Sequence, residues 1–371
     1  MSWTLTAADL PDLARGATLL GTGGGGDPYI GRMLVERVLG DRGITILDPD
    51  EIADDLFVIP TAQMGAPTVM IEKIPAGTEP TLALRTLEEH LGRRADATMP
   101  IECGGINSMI PLVVAAETGL PVVDADGMGR AFPELSMETF AVYGVHGSPL
   151  ALAGERGEKV IIDTGDDDRQ MEWLARGITI RLGGVGHIAE YAMTGAEVRR
   201  TAIPRTLSMA LALGRAIRVA RERKTSPFDA IAETLSTTLY SHLRELFVGK
   251  VSDVERRTTE GFAKGRAVIS PLDPASTDTF ELQFQNENLI ALRNGVCVAI
   301  VPDLVCVVDE ETAEPITTEG LRYGQRVRVL GISTPDMMRT PEALAAFGPS
   351  AFGLTDEFVP VERVDRAGVP A

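Results

Sequence analysis

Three short stretches concentrate groups whose types and spacing can do chemistry. In "PIECGGINS", Glu102 and Cys103 close an apolar, strand-like run and precede Gly104, Gly105 and a helical pattern capped by Asn107 or Ser108. Backbone N–H groups at such a strand-to-helix turn can hold a developing anion. A carboxylate there accepts hydrogen bonds, binds a metal or moves a proton. A thiol near a helix N-terminus is a candidate nucleophile, and equally a small buried filler. In "VVDADGMGRAFPELSM", Asp124, Asp126, Arg130 and Glu134 fall within one short segment. Strand alternation sets Asp124 and Asp126 on one face, where like charges raise one pKa or recruit a cation. Arg130 offers a bidentate clamp for a carboxylate or an imide-like group, or closes an internal Asp–Arg network.

The third stretch is "LLGTGGGGDPYIGR", with five glycines among the six positions from Gly21 to Gly26. Its bare N–H groups suit a nest for an anion or carbonyl, built by Gly23, Gly24, Gly25 and Gly26, with Asp27 as helix cap and Pro28 at the first helical position. A tight turn between helices without ligand is the plain alternative. The run also satisfies G-x-G-x-x-G, with Asp48 placed as a ribose-binding acid, but the preceding "ADLPDLARGATLL" reads as a helix where a dinucleotide fold needs a strand. Glu72 and Lys73 follow a Gly-Ala-Pro turn, and His187 follows the glycines of "RLGGVGHIAEY". His90 and His242 fall on helical patterns as surface or packing residues, and no two of the four histidines have metal-ligand spacing.

These positions need a scaffold that brings loops together. The first half alternates strands, such as "ITILDPD" and "LFVIPT", with helices, such as "PTLALRTLEEHLGRRA" and "NSMIPLVVAAETG", which builds a layered α/β domain over 1–165. Functional loops of such sheets lie at the strands' C-terminal ends. "LALAGERGEKVIID" reads as a hairpin, "AEYAMTGAEVRRTAI" as strand-like, and Pro204 to Lys224 as a helix with Leu207, Ala210, Leu211, Gly214 and Ile217 on one face. From Phe247 to Gly331 the chain is rich in Val, Ile and Thr between turn sequences. A β-rich sandwich or barrel domain over 166–371, with helices near 204–243, is expected to pack closely on the first.

Composition narrows the function classes. The chain has 371 residues, 44% of them hydrophobic, enough for two cores. A net charge of −18 argues against nucleic acid, and "RVARERK" reads as the solvated end of a helix. No apolar run spans a bilayer, the first residues lack a leader's pattern, and Cys103, Cys297 and Cys306 form no disulfide framework. A soluble cytoplasmic protein with reduced thiols follows, partnered by a small-molecule substrate and by further copies of itself.

"LGTGGGGDPYIG", "MGAPTVMIEK", "PIECGGINS" and "PVVDADGMGRAFPELSM", in that order, resemble the bacterial S-methyl thiohydantoin desulfurase-like family. The resemblance implies an α/β N-terminal domain, a β-rich C-terminal one, and an enzyme handling a small five-membered imide-like ring. The chemistry of the motifs then assigns Glu102, Cys103, Asp126 and Arg130 to catalysis, and Gly23–Asp27, Gly104, Gly105, Asn107, Glu72 and His187 to substrate. Glu102, Asp124 and Asp126 are the candidate ligands should a divalent metal serve as cofactor. The acids around Cys103 would raise its pKa, which favours activated water over the thiol as attacking group. A nicotinamide-dependent oxidoreductase and a non-catalytic metabolite-binding subunit of a hydantoinase-like system are the competing readings.

Overall fold

The computed structural model describes residues 1–65, 69, 76–259 and 262–364. Its N-terminal strands are β1 (Trp3–Leu5), β2 (Ile44–Leu47), β3 (Phe57–Gly65), β4 (Ala97–Met99), β5 (Val122–Val123), β6 (Ala125–Asp126), β7 (Leu150–Ala153), β8 (Lys159–Ile162), β9 (Val185–Ala189), β10 (Met193–Thr194) and β11 (Ile203–Pro204). They form one mixed sheet in the order β1-β2-β5-β4-β3-β9-β7-β8, with β10 also on β3, while β6 and β11 pair apart. Strands β2, β5, β4 and β3 run parallel, which is why helices Glu79–Leu91 and Ile110–Thr118 intervene between β3, β4 and β5. β3 is buried along nearly its whole length, as expected of a strand covered on both faces. The C-terminal ends of β3, β4 and β5 lie at the same edge of the sheet.

The C-terminal strands are β12 (Leu243–Thr259), β13 (Phe262–Pro271), β14 (Phe280–Gln285), β15 (Glu287–Arg293), β16 (Val296–Ile300), β17 (Leu304–Asp309) and β18 (Arg326–Ile332). They form an antiparallel half-barrel in the order β16-β15-β14-β13-β12-β18-β17. The β15–β16 turn is Asn294-Gly295, both at positive φ (52° and 78°), the combination a two-residue hairpin loop of this twist demands. One face of this sheet has its own core around Phe247, Ile269, Phe280 and Val329. The other contributes Leu289, Ile290, Leu304 and Leu330 to the large core of the N-terminal domain, so the two domains share apolar interior.

Helix Thr206–Arg223 buries Leu207, Ala210, Leu211, Gly214 and Ile217 and crosses helix Leu10–Leu20. A Cβ at Gly16 would overlap the Ala210 carbonyl, and one at Gly214 the Asp12 carbonyl, so the two glycines set how closely the helices cross. Two local expectations are corrected. The stretch around 193–203 is mainly helix Gly195–Thr201, started by a Thr194/Glu197 capping box that outweighs its strand-like composition. Neither Asn107 nor Ser108 caps helix Ile110–Thr118: Gly105–Ser108 is a 3₁₀ turn, Met109 holds the cap position, and the Asn107 side chain is engaged elsewhere.

Candidate active site

The glycine run links helix Leu10–Leu20 to helix Pro28–Leu39. What it approaches is protein. The Gly25 carbonyl accepts from Ile106 N at 2.9 Å, and a Cβ at Gly25 would stand 2.6 Å from the Gly104 carbonyl. Gly105, at φ +65°, has room for no side chain against Gly25 either, so the two glycine-rich loops lie backbone against backbone. On its other side the run meets the start of β15. Asn288 N donates to the Thr22 carbonyl at 2.8 Å, Thr318 N donates to the Gly23 carbonyl at 2.7 Å, and a Cβ at Gly24 would overlap Glu287 Oε1. Gly23 and Gly24 therefore dock the half-barrel, and the carboxylate received by Gly25 N–H is the protein's own Glu287, at 3.3 Å. Asp27 caps its helix by accepting from Tyr29 N at 2.8 Å.

A cavity of about 70 Å³ opens where these loops meet the ends of β3 and β4, room for several waters. Its polar wall includes Gln63, Glu102, Asn107, Glu134, Arg176 and Glu287, with Gly25 and Gly26 beside them and Met128 and Phe132 as apolar cover. Asn107 is the joint of this wall. Its Oδ1 accepts from Gln63 N at 2.7 Å, and its Nδ2 donates to the Gln63 carbonyl at 3.2 Å and to Glu102 Oε1 at 2.8 Å. Asn107 thus holds Glu102 by Oε1, and among the described residues its buried Oε2 makes no hydrogen bond. Glu287 has the same arrangement from the opposite domain: Oε1 on Gly25 N–H, Oε2 buried and without a hydrogen-bond partner among the described residues.

Both carboxyls favour the protonated form. Burial raises Glu102 well above the usual carboxylate range, the Glu287 charge adds to the rise, and Asn107 opposes it. Burial lifts Glu287 to about 8, against the opposing pull of Arg130. The Glu287 charge raises Glu102, so ionisation of the one disfavours ionisation of the other, and over an interval of pH the pair carries a single proton, an acid and a base on one cavity wall.

The other predicted site residues lie apart. Cys103 is buried in the main core, outside the cavity wall, and burial with the neighbouring Asp126 and Asp124 charges pushes its thiol well up, so the nucleophile role lacks both exposure and thiolate. Asp126 accepts from Cys103 N and from Gly129 N at 2.9 Å, and Asp124 accepts from Ser208 N at 3.0 Å. Both acids are engaged with backbone N–H groups. Among the described residues no three His, Cys, Asp or Glu side chains are grouped to hold a metal ion, so the proposed ligand set is not assembled.

Arg130 is not a substrate clamp. Fully buried, it donates through Nε to the Ala131 carbonyl (3.1 Å), through Nη1 to those of Asp303 (3.0 Å) and Pro302 (3.4 Å), and through Nη2 to that of Asn288 (3.0 Å). It fastens one domain to the other. His187 sits inside the sheet opposite Gln63 and Ala153, off the cavity wall, where burial lowers its pKa to about 4 and keeps it neutral. Glu72 and Lys73 lie outside the described residues. Asp48, the ribose candidate, is held by the N-terminal amine at 2.5 Å and by Arg205 Nη2 at 2.9 Å, and the glycine run follows a helix, so the dinucleotide-binding context is missing.

Sequence reasoning overlooked Glu287 and Arg176. The signal for Glu287 was the polar run Gln285–Asn288 interrupting apolar strands, three of whose members (Asn286, Glu287 and Asn288) are buried. Arg176 carried none: it reaches the wall from mid-helix, paired with Glu172 and donating to the Pro133 carbonyl at 2.8 Å.

A mixed α/β domain and an antiparallel half-barrel thus enclose a buried pair of carboxyls, one from each, in a cavity between them. The chain belongs to the S-Me-THD-like family, whose N-terminal domain matches residues 8–164 and whose C-terminal domain matches residues 166–361. It is similar to a crystal structure of a protein from Chromobacterium violaceum, a structural genomics target, with 25% sequence identity, a TM-score of 0.81, and coverage of 97% of this chain and 100% of that one. No curated protein matches the chain. No helix among the described residues is long and apolar enough to cross a membrane.

Proposed function

We propose that this protein removes sulfur hydrolytically from C2 of a thiohydantoin or S-methyl thiohydantoin, with Glu102 and Glu287 as the acid–base pair. The family name supports a thiohydantoin-related activity. The observation that carries the reading is the pair of Oε2 atoms, one from each domain, that have no hydrogen-bond partner among the described residues, on carboxyls that line one cavity.

A protonated carboxyl presents an O–H donor beside a C=O acceptor, which matches the N–H and C=O edge of an imide-like ring. The ionised member takes a proton from water as the oxygen bonds to C2, and the C2=N electron pair moves onto the ring nitrogen, which receives the proton of the acidic member. The tetrahedral carbon then forms its carbonyl as the C–S bond breaks. The hydroxyl proton leaves through the carboxylate and protonates the departing sulfur, which leaves as methanethiol, or as hydrogen sulfide when the unmethylated ring reacts as its C2=N thiol tautomer. Substrate plus water equals hydantoin plus thiol. Arg176, rather than Arg130, is the arginine on the cavity wall, and in this reading its charge offsets the one that develops on nitrogen.

The test is thiol release from S-methyl thiohydantoins and thiohydantoins by the purified full chain, with and without added divalent metal, beside hydantoins as sulfur-free controls. Turnover of the sulfur-bearing rings is expected. Binding without turnover would favour a metabolite-binding subunit and overturn the hydrolytic reading, and release that survives unchanged in both Glu102→Gln and Glu287→Gln would overturn the assignment of this acid–base pair.

A further inference from the structure

Away from the cavity, the N-terminal domain buries a second pair of acids that the chemistry above does not use. Glu138 and Glu190 are both 0% exposed, and among the described residues none of their four side-chain oxygens makes a hydrogen bond. Neither lines the cavity. The backbone beside each is pinned: Thr139 donates through its N–H and its hydroxyl to the Gly127 carbonyl, at 2.6 and 2.9 Å, and Glu190 N donates to the Pro60 carbonyl at 3.3 Å. A Cβ at Gly127 would overlap both Glu138 Oε2 and the Phe140 ring, and that ring lies 5.4 Å from the ring of Tyr191, the residue after Glu190. Glu190 is the charge that acts most strongly on Glu138. The next are also acids: Asp126, Glu102 and Asp168 act on Glu138, and Glu172 and Asp168 on Glu190. Burial and these charges raise both carboxyls well above the usual range.

We propose that Glu138 and Glu190 together bind one hard divalent cation, of the Mg²⁺ or Ca²⁺ kind, inside the N-terminal domain. A carboxyl in an apolar core without a hydrogen bond is costly, and two ionised ones repel. One proton shared between them would leave a charge and two oxygens unmet. A divalent cation cancels both charges and can take all four oxygens, with waters or backbone carbonyls completing the shell. An all-oxygen donor set suits Mg²⁺, Ca²⁺ or Mn²⁺ rather than softer metals. Glu138 lies in the segment after β6, which also carries Gly127 and Arg130, and Glu190 directly follows β9, so the ion ties that segment to the sheet. Enclosed on all sides, it is taken up as the chain folds, and its binding energy is folding energy. The role is structural and independent of the hydrolytic reading.

The test is to treat the full chain with a chelator, equilibrate it with Mg²⁺, Ca²⁺ or Mn²⁺ in turn, desalt it, and measure bound metal and melting temperature. The wild type should keep one ion per chain and melt higher with it than without, because a ligand of the folded state stabilises that state. Glu138→Gln and Glu190→Gln should each lose the ion and the rise it brings. Without metal, both variants should melt at or above the wild type, since each removes a buried acid that nothing neutralises. A wild type that keeps no ion and melts no higher with any of the three metals overturns the proposal, and this result needs no variant to fold. An ion that both folded variants keep overturns it as well.

Discussion

The loops after β4 and β5 lie at the same end of the same sheet and carry the same kind of residue, yet they do different work. After β5, Asp126 has both oxygens on backbone N–H groups, Asp124 has its Oδ1 on Ser208 N, and Arg130 has its guanidinium on backbone carbonyls. Glu102, after β4, has one oxygen tied by Asn107 and the other without a hydrogen-bond partner among the described residues. The difference lies in hydrogen-bonding capacity left over, not in residue type. A group whose partners are all in the protein holds the fold, whereas a buried group kept short of a partner is held ready for something that comes and goes. Glu287 meets that criterion and comes from the domain where no acid had been singled out.

Substitutions can break this comparison. Arg130→Ala should have the largest effect, above about 4 kcal/mol of stability, because buried carbonyls of both domains lose their donor at once. Urea denaturation reads it, and a variant as stable as wild type would return Arg130 to the list of substrate groups. Glu102→Gln and Glu287→Gln should each lower kcat by at least about a hundredfold while leaving the melting temperature unchanged or raised, since each removes a desolvated carboxyl. Asp126→Asn should do the reverse: about 1–3 kcal/mol of stability lost with the turnover of the folded fraction retained, because Asn offers an N–H where Cys103 N or Gly129 N needs an acceptor.

The pH dependence sharpens the same contrast. A carboxyl raised from 4.5 to about 8 binds more protons folded than unfolded, so its contribution to stability is fully present below pH 4.5 and lost as pH rises to about 8. The melting temperature should therefore decline across that window, and Glu287→Gln should flatten the decline. An unchanged slope in the variant would mean that Glu287 is not the raised group. The smallest effect belongs to Cys103→Ala, which should cost about 1 kcal/mol for a buried sulfur lost from the core and leave thiol release intact. A dead variant with a covalent adduct on the wild-type thiol by mass spectrometry would move the chemistry to Cys103.

Much of the architecture was readable along the chain. The alternation of "ITILDPD", "LFVIPT" and their helices announced the parallel core, and the Asn-Gly turn and Val-rich runs announced the antiparallel sheet, because turn chemistry and burial period act over a few residues. The failure at 193–203 was also local: the capping box at Thr194 and Glu197 was in plain view and was outvoted by composition. The site was half readable. Glu102, Asn107, Gly25 and Gly26 sit on the cavity wall, while Cys103, Asp126, Arg130 and His187 do not.

What the amino-acid order determined by itself was which residues could react, where strands end, and which loops are stripped of side chains. It left open what the bare loop at Gly21–Gly26 approaches, because a glycine records the need for closeness and not the identity of the neighbour. Only the tertiary structure decided that the neighbours are Gly104, Gly105 and Glu287. The same holds for the acids. Whether a carboxylate is spent on the backbone or left with a free oxygen depends on contacts such as that between Asn107 and Gln63, 44 positions apart, and between Gly25 and Glu287, 262 apart. Pairings across such separations are fixed by the packing of two domains on one core, a property that no window of sequence contains.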